Sequence, residues 1–175
     1  MSTLRISIGE GDHIQGREGA PITLVEYGDY ECPYCGAAYP MVKQLQEAMG
    51  DNLRFVFRNF PITELHRHAL SAAMTAEFGA AKGRFWEVHD ELFENQTRLG
   101  ATLYDTIMTK LGLPASELHD ALERAIYQER IRGDLDGGVR SGVNGTPTFF
   151  INGRRYDGPP EFAPMAKALA RLVEA

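Results

Sequence analysis

Cys32-Pro33-Tyr34-Cys35 holds both cysteines of the chain. Two thiols at this spacing, at the start of a helix, are close enough to bridge. A helix start also makes them unequal. The first meets unpaired backbone N–H groups and the positive end of the helix dipole, which stabilise a thiolate. The second lies a turn further in and is expected to be more buried. Thiol–disulfide exchange needs that inequality: Cys32 attacks a substrate disulfide, and Cys35 resolves the mixed disulfide. Run backwards, the pair donates its disulfide to a substrate dithiol. The competing use of C-x-x-C is a zinc half-site, but even a catalytic zinc takes three protein ligands. There is no further cysteine, and His13, His66, His68, His89 and His119 lack the spacing of a zinc-binding pair. No metal is expected.

These roles require a strand ending just before Cys32 and a helix beginning there. Residues 22–27 read as a short buried strand after Gly19-Ala20-Pro21, interrupted only by Glu26. Residues 33–49 read as a helix. Pro33 suits a first helical position, Val42, Leu45 and Met49 recur at helical spacing, and Gly50 stops it. Pro40 should kink it. Residues 53–58 form the next strand, so a crossover with parallel strands is expected. From residue 63 to about 142 no convincing strand occurs. Apolar spacing suggests helices near 69–80 and 85–93, a third capped by Thr102, and a fourth capped by Ser116 with Leu118, Leu122 and Ile126 inward. Ile131, Leu135 and Val139 continue a helical pattern weakened by Gly133, Gly137 and Gly138. Strands return at 148–151 and 154–156 around Asn152-Gly153, a hairpin signal. A final helix is expected over 160–175, with Phe162, Met165, Leu169 and Leu172 on one side. Residues 4–8 could add a short strand.

Composition bounds the function. The chain has 175 residues, 43% hydrophobic and 24% charged, an ordinary globular profile. No apolar run approaches a membrane span. The net charge is −6, and no dense Lys/Arg cluster marks a nucleic-acid surface. Neither a nucleic-acid nor a membrane partner is expected. Two cysteines in one four-residue motif do not make a disulfide scaffold. The first ten residues lack the apolar core of a signal peptide, so a cytoplasmic location is expected. A periplasmic or secreted chain whose signal had been removed would read the same way.

Glu26-Tyr27-Gly28-Asp29-Tyr30-Glu31-Cys32-Pro33-Tyr34-Cys35 and Gly145-Thr146-Pro147-Thr148-Phe149-Phe150-Ile151-Asn152-Gly153 together resemble the DsbA-like branch of the thioredoxin superfamily. The helical stretch between them matches as well, and the resemblance runs from about residue 20 to the end. It implies an α/β thioredoxin fold with a central mixed sheet and an inserted all-helical domain. Residues 1–62 and 143–175 would form the thioredoxin-like domain and 63–142 the insertion. It also implies that Pro147 is cis and faces the cysteines. The backbone of Thr146 would then lie open beside Cys32, where a substrate peptide could add as a short strand. Pro33 and Tyr34 would share that substrate-facing surface.

The family places an acidic residue at the position of Glu26. A carboxylate in an apolar strand is costly unless used or paired. Burial should raise its pKa, and it could take a proton from Cys35, directly or through a water. The plain alternative is a strand-end glutamate paired with a lysine. The chain departs from the best-known member in having Pro33-Tyr34 where that member has Pro-His. Tyr34 brings no positive charge, and Asp29 and Glu31 oppose an anion. The Cys32 pKa should therefore fall only modestly and the disulfide should be a weak oxidant, suited to reduction or exchange. Pro-Tyr is also typical of glutaredoxins, which lack a helical insertion. His66 and His68 are expected to face solvent or cap a helix, and Trp86 to sit in the core. The expected activity is that of a thiol–disulfide oxidoreductase without a cofactor. Its partners would be protein or peptide thiols and disulfides, with glutathione or a redox partner protein closing the cycle. Two other readings stay open: a glutathione-dependent isomerase or transferase of related fold, against which Cys35 argues, and a peptide-binding module without turnover.

Overall fold

The strand–helix–strand order around the cysteines organises the molecule. The computed structural model describes residues 2–173. In chain order it contains β1 (His13–Gln15), β2 (Ile22–Gly28), α1 (Pro33–Met49), β3 (Leu53–Asn59), α2 (Ala69–Ala81), α3 (Phe85–Glu94), α4 (Ala101–Leu111), α5 (Ala115–Glu123), α6 (Gln128–Arg140), β4 (Thr148–Ile151), β5 (Arg154–Arg155) and α7 (Phe162–Val173). Among the described residues the sheet has five strands in the order β1-β3-β2-β4-β5. β2 and β3 are parallel, joined through α1, and the other pairings are antiparallel. This is the mixed sheet of a thioredoxin fold.

β2 is central, and every residue of it is buried. Alternation along a strand sorts its side chains between two faces. Leu24 joins Phe55, Phe57 and Phe149 in the larger core cluster, which also contains Cys32 and Cys35. Val25 and Tyr27 join Val56, Phe60 and Phe150 on the other face. Glu26 has the parity of Leu24, so it lies on the cysteine face, opposite Phe57 in β3 and Phe149 in β4. α1 covers that face with Cys35, Ala38, Met41, Val42 and Leu45, and remains helical through Pro40.

The helices between β3 and β4 pack into the same larger cluster. α2 is buried nearly all round, as its run of alanines allows. Gly79 lets α3 approach, since a Cβ there would stand 2.6 Å from Val88 Cγ2. The glycines of α6 also serve packing: a Cβ on Gly138 would lie 2.8 Å from the Phe60 ring. The hairpin turn has positive φ at both Asn152 and Gly153, the backbone such a two-residue turn requires.

Several details differ from the sequence reading. Residues 4–8 form no strand. Thr3 makes a single bridge to Arg154, and β1 pairs with β3 instead. The N-terminal segment is held by Arg58, which donates to Asp12, Tyr27 and the carbonyls of Ile6 and Ser7. α4 starts after Gly100 and α5 after Pro114, so neither Thr102 nor Ser116 is the cap. α5 stops at Glu123, which leaves Ile126 exposed, and Val139 faces outward from α6. α7 buries Met165 and Leu169 against the core while Phe162 and Leu172 are exposed. Glu174 and Ala175, included in the expected final helix, lie outside the described residues. No helix among the described residues is long and apolar enough to cross a membrane.

Candidate active site

β2 ends at Gly28, and four residues later Cys32 takes the N-cap position of α1 in an extended conformation. Its N–H donates to the Asp29 carbonyl at 3.2 Å, and its own carbonyl accepts from Gly36 N–H at 3.0 Å. Pro33 follows where no helical N–H is needed. Tyr30 anchors the loop from below, its hydroxyl 2.9 Å from His89 Nδ1 and its ring against Phe57 and Phe93. Both cysteines are free thiols. Cys35 is fully buried, and Cys32 is 3% exposed, far less open than its expected role suggested. Cys32 Sγ donates to the Thr146 carbonyl at 3.4 Å, and Asp29 N–H donates to Cys35 Sγ at 3.4 Å. The Thr146–Pro147 bond is cis. β4, which follows it directly, pairs with β2 and so brings this loop to the cysteines. Pro33 and Tyr34 are exposed at the rim, Tyr34 to 76%.

The electrostatics separate the two thiols. Cys32 is pulled down from 9.0 to about 5. The largest cause is a hydrogen bond from the Cys35 thiol. Burial opposes it, and the Thr146 side chain and the N–H groups of Cys35 and Tyr34 add to it. The Thr146 hydroxyl is buried with no hydrogen-bond partner among the described residues, so it is free to serve the thiolate. Cys35 is pushed up, first by burial, then by its bond to Cys32 and by the charges of Glu26 and Cys32. Glu26 rises from 4.5 to about 8, through burial and then through the Cys32 charge. Its Oε1 has no hydrogen-bond partner among the described residues, and no lysine pairs with it. The strand-end ion pair is set aside.

The expected modest shift at Cys32 is a misreading. In the sequence Asp29 and Glu31 read as free anions, but their carboxylates are engaged elsewhere. Asp29 accepts from the N–H groups of Glu31 and Ile62, both at 2.8 Å, and its Oδ2 lies 2.8 Å from His66 Nδ1. Glu31 accepts from His68 N–H at 2.5 Å. The hydrogen bonds that the fold aims at Cys32 outweigh the missing charge of the dipeptide.

A thioredoxin family model matches residues 9–171. The chain belongs to that family. Among solved structures, a thioredoxin-like oxidoreductase from Silicibacter pomeroyi superposes with a TM-score of 0.82 at 27% identity, covering 95% of both chains. Oxidised BdbD from Bacillus subtilis (TM-score 0.85, 21% identity, 95% of both chains) and Wolbachia pipientis alpha-DsbA1 (0.84, 19%, 98% of this chain and 94% of that one) share the fold. The fold of this thioredoxin-family chain is DsbA-like. Among curated proteins, a Na(+)/H(+) antiporter NhaA 1 from Salinispora arenicola is 43% identical over 147 residues, 84% of this chain and 22% of that protein. An NhaA 3 from Salinispora tropica is 40% identical over 158 residues, 90% and 24%. This family member spans about a quarter of the length of the curated relatives it matches.

The structure brings Cys32, Cys35, Glu26, Thr146 and Pro147 into one place, with Pro33 and Tyr34 at its edge. Sequence reasoning missed three further participants. Gln96 Nε2 donates to the carbonyls of Tyr30 and Cys32, both at 2.8 Å. Gly36 makes room for it: a Cβ there would stand 2.2 Å from Gln96 Oε1. A glycine in the first turn of an otherwise ordinary helix was the one available signal for that close approach. His66 is neither solvent-facing nor a cap; it is mostly buried against Asp29. His68 stands at the N-cap position of α2 but its side chain makes no capping bond, and Trp86 packs against the core as expected.

Proposed function

We propose that this chain catalyses thiol–disulfide exchange with protein or peptide substrates. The observation that carries the reading is the pair of free thiols at the start of α1, one acidified and one held neutral, beside an unpaired carboxyl. Cys32 thiolate attacks one sulfur of a substrate disulfide. A Cys32–substrate bond forms, the substrate S–S bond breaks, and the first substrate thiolate leaves. Cys35 then loses its proton to ionised Glu26, directly or through a water, and attacks Cys32 Sγ. The mixed disulfide breaks, the second substrate thiolate leaves, and the Cys32–Cys35 disulfide remains. The substrate has gained two electrons and the protein has lost them; an external dithiol or glutathione returns them. Each step is reversible, and the same groups serve oxidation of a substrate dithiol.

The low Cys32 pKa bears on direction. A stabilised thiolate favours the reduced protein and makes its disulfide more oxidising than the dipeptide alone suggests. Thr146 offers its backbone beside Cys32 for an extended substrate, with Pro147, Pro33 and Tyr34 as the surrounding surface. Residues 1–62 and 143–175 form the thioredoxin-like unit in this reading and residues 63–142 an insertion that completes the site through His66 and Gln96. The ion transport in the relatives' names is not carried over, because this chain spans only about a quarter of their length.

Insulin reduction by the wild type and by Cys32→Ser tests the proposal. Turnover by the wild type, abolished in the variant, supports it. Peptide binding without turnover would leave a binding module. Turnover that survives Cys32→Ser, or that requires glutathione as co-substrate without using Cys35, would point to a glutathione-dependent enzyme.

A further inference from the structure

We infer that His66, held against Asp29 in the segment that follows β3, supplies on protonation the positive charge that the C-P-Y-C motif lacks and so favours the Cys32 thiolate. The inference rests on the proposed role of Cys32 as the nucleophile.

The geometry makes Asp29 a junction between that segment and both cysteines. Its backbone touches each of them: the N–H donates to Cys35 Sγ, and the carbonyl accepts from Cys32 N–H. Its carboxylate is fully buried and accepts from Glu31 N–H, Ile62 N–H and the His66 ring. The His66 N–H bonds the Ile62 carbonyl at 2.9 Å, so the turn carrying the imidazole is fixed at both ends. A carboxylate can only accept. Nδ1 therefore keeps its hydrogen toward Asp29, and Nε2 is the atom that gains or loses a proton.

The charges facing this imidazole come from two sides. Asp29 and Glu31 lie in the loop after β2, and Cys32 caps α1. Arg67 and His68 are its neighbours on its own segment. Glu26 and Cys35 act on Cys32 from the sheet side. Burial pulls the His66 pKa down. The hydrogen bond and charge of Asp29 outweigh it, helped by the charges of Cys32 and Glu31, and the net direction is upward. The influence is mutual. If the Cys32 thiolate favours protonated His66, protonated His66 favours the thiolate by the same factor. A purely structural staple would not need a titrating ring, since the Asp29–Ile62 bond already ties the two segments.

The test follows His66 by NMR through its imidazole titration, in the reduced protein and in the disulfide form. The disulfide carries no charge on Cys32. The His66 midpoint should be higher in the reduced protein by about half a unit or more, roughly a threefold change in proton affinity. In parallel, the Cys32 thiolate is titrated by its ultraviolet absorbance in wild type, His66→Gln and His66→Lys. His66→Gln should raise the Cys32 midpoint by a similar factor, and His66→Lys, which keeps a charge, should restore it. Equal His66 midpoints in the two redox states would overturn the inference. So would an unchanged Cys32 midpoint in His66→Gln, or the same rise in both variants. If His66→Gln does not fold, the wild-type comparison still decides. Insulin turnover by the wild type is read separately: its absence sinks the proposed function, while uncoupled titrations with turnover intact sink only this inference.

Discussion

Replacing Glu26 by Gln should stabilise the reduced protein at alkaline pH and change little in acid. The wild-type carboxyl titrates at about 8 when folded, against 4.5 for the free group. A raised folded-state value means that the native state holds this proton more tightly. The corresponding stability is complete below the unfolded pKa and is lost as pH rises through the folded one. Each pH unit between the two costs the wild type ~1.4 kcal/mol. The loss is therefore about 4–5 kcal/mol at pH 8.5 and about 1 kcal/mol or less at pH 5. Glutamine matches the shape of the protonated acid and does not titrate, so the variant should gain those amounts. Part of the shift comes from the Cys32 charge, so the gain should shrink in the disulfide form. Urea unfolding under reductant at the two pH values, followed by Trp86 fluorescence, gives the stability difference from midpoint and slope. An equal gain at both pH values, or a variant less stable at pH 8.5, would refute the assignment of a buried, unpaired carboxyl.

The same Glu26→Gln variant should resolve mixed disulfides on the order of a hundredfold more slowly, because Cys35 loses its proton acceptor; rapid-mixing exchange kinetics would show this. Brief iodoacetamide treatment of the reduced protein should label Cys32 first, with a rate midpoint near pH 5, and mass mapping of Cys35 as the first site would contradict it. Thr146→Val removes the hydroxyl that serves the thiolate and keeps the branched shape, so the Cys32 midpoint should rise by roughly half a unit to one unit, read by absorbance titration. Gly36→Ala should destabilise the protein by about 1–3 kcal/mol by displacing the Gln96 amide from two carbonyls, and Gln96→Ala in the same chain should recover part of that loss; thermal melts of the single and double variants would check the coupling.

The cysteine site was legible because its signals are local. A buried strand, a proline at the first helical position and the paired thiols fall within fifteen residues, while the place of Glu26 beneath them came from the family resemblance. The helices between β3 and β4 were legible from apolar spacing, though not their starts. Gly100 and Pro114 precede α4 and α5, and glycine and proline signal loops as readily as they signal helix entry. Long-range polar contacts were not legible. Asp29 and Glu31 read as free charges in sequence, and only the fold shows their oxygens turned to Ile62, His66 and His68. Gln96 lies 64 positions from the carbonyl of Cys32 that it holds, and nothing in its neighbours marks it. The error over the Cys32 pKa has another origin: the hydrogen bonds of the helix start itself, from the Cys35 thiol and the N–H groups of Cys35 and Tyr34, do most of the lowering, and Thr146 adds to them from a distant segment.

Trapping of the mixed disulfide tests the central claim most directly. Reduced Cys35→Ser protein is mixed with an unfolded disulfide-bonded substrate, and the products are measured by intact mass before and after reductant. The account predicts a one-to-one, reductant-sensitive adduct at Cys32 that accumulates because no resolving thiol remains. Cys32→Ser should form almost none. No adduct with Cys35→Ser, or an equal yield from Cys32→Ser, would contradict the assignment of Cys32 as the nucleophile and Cys35 as the thiol that resolves it.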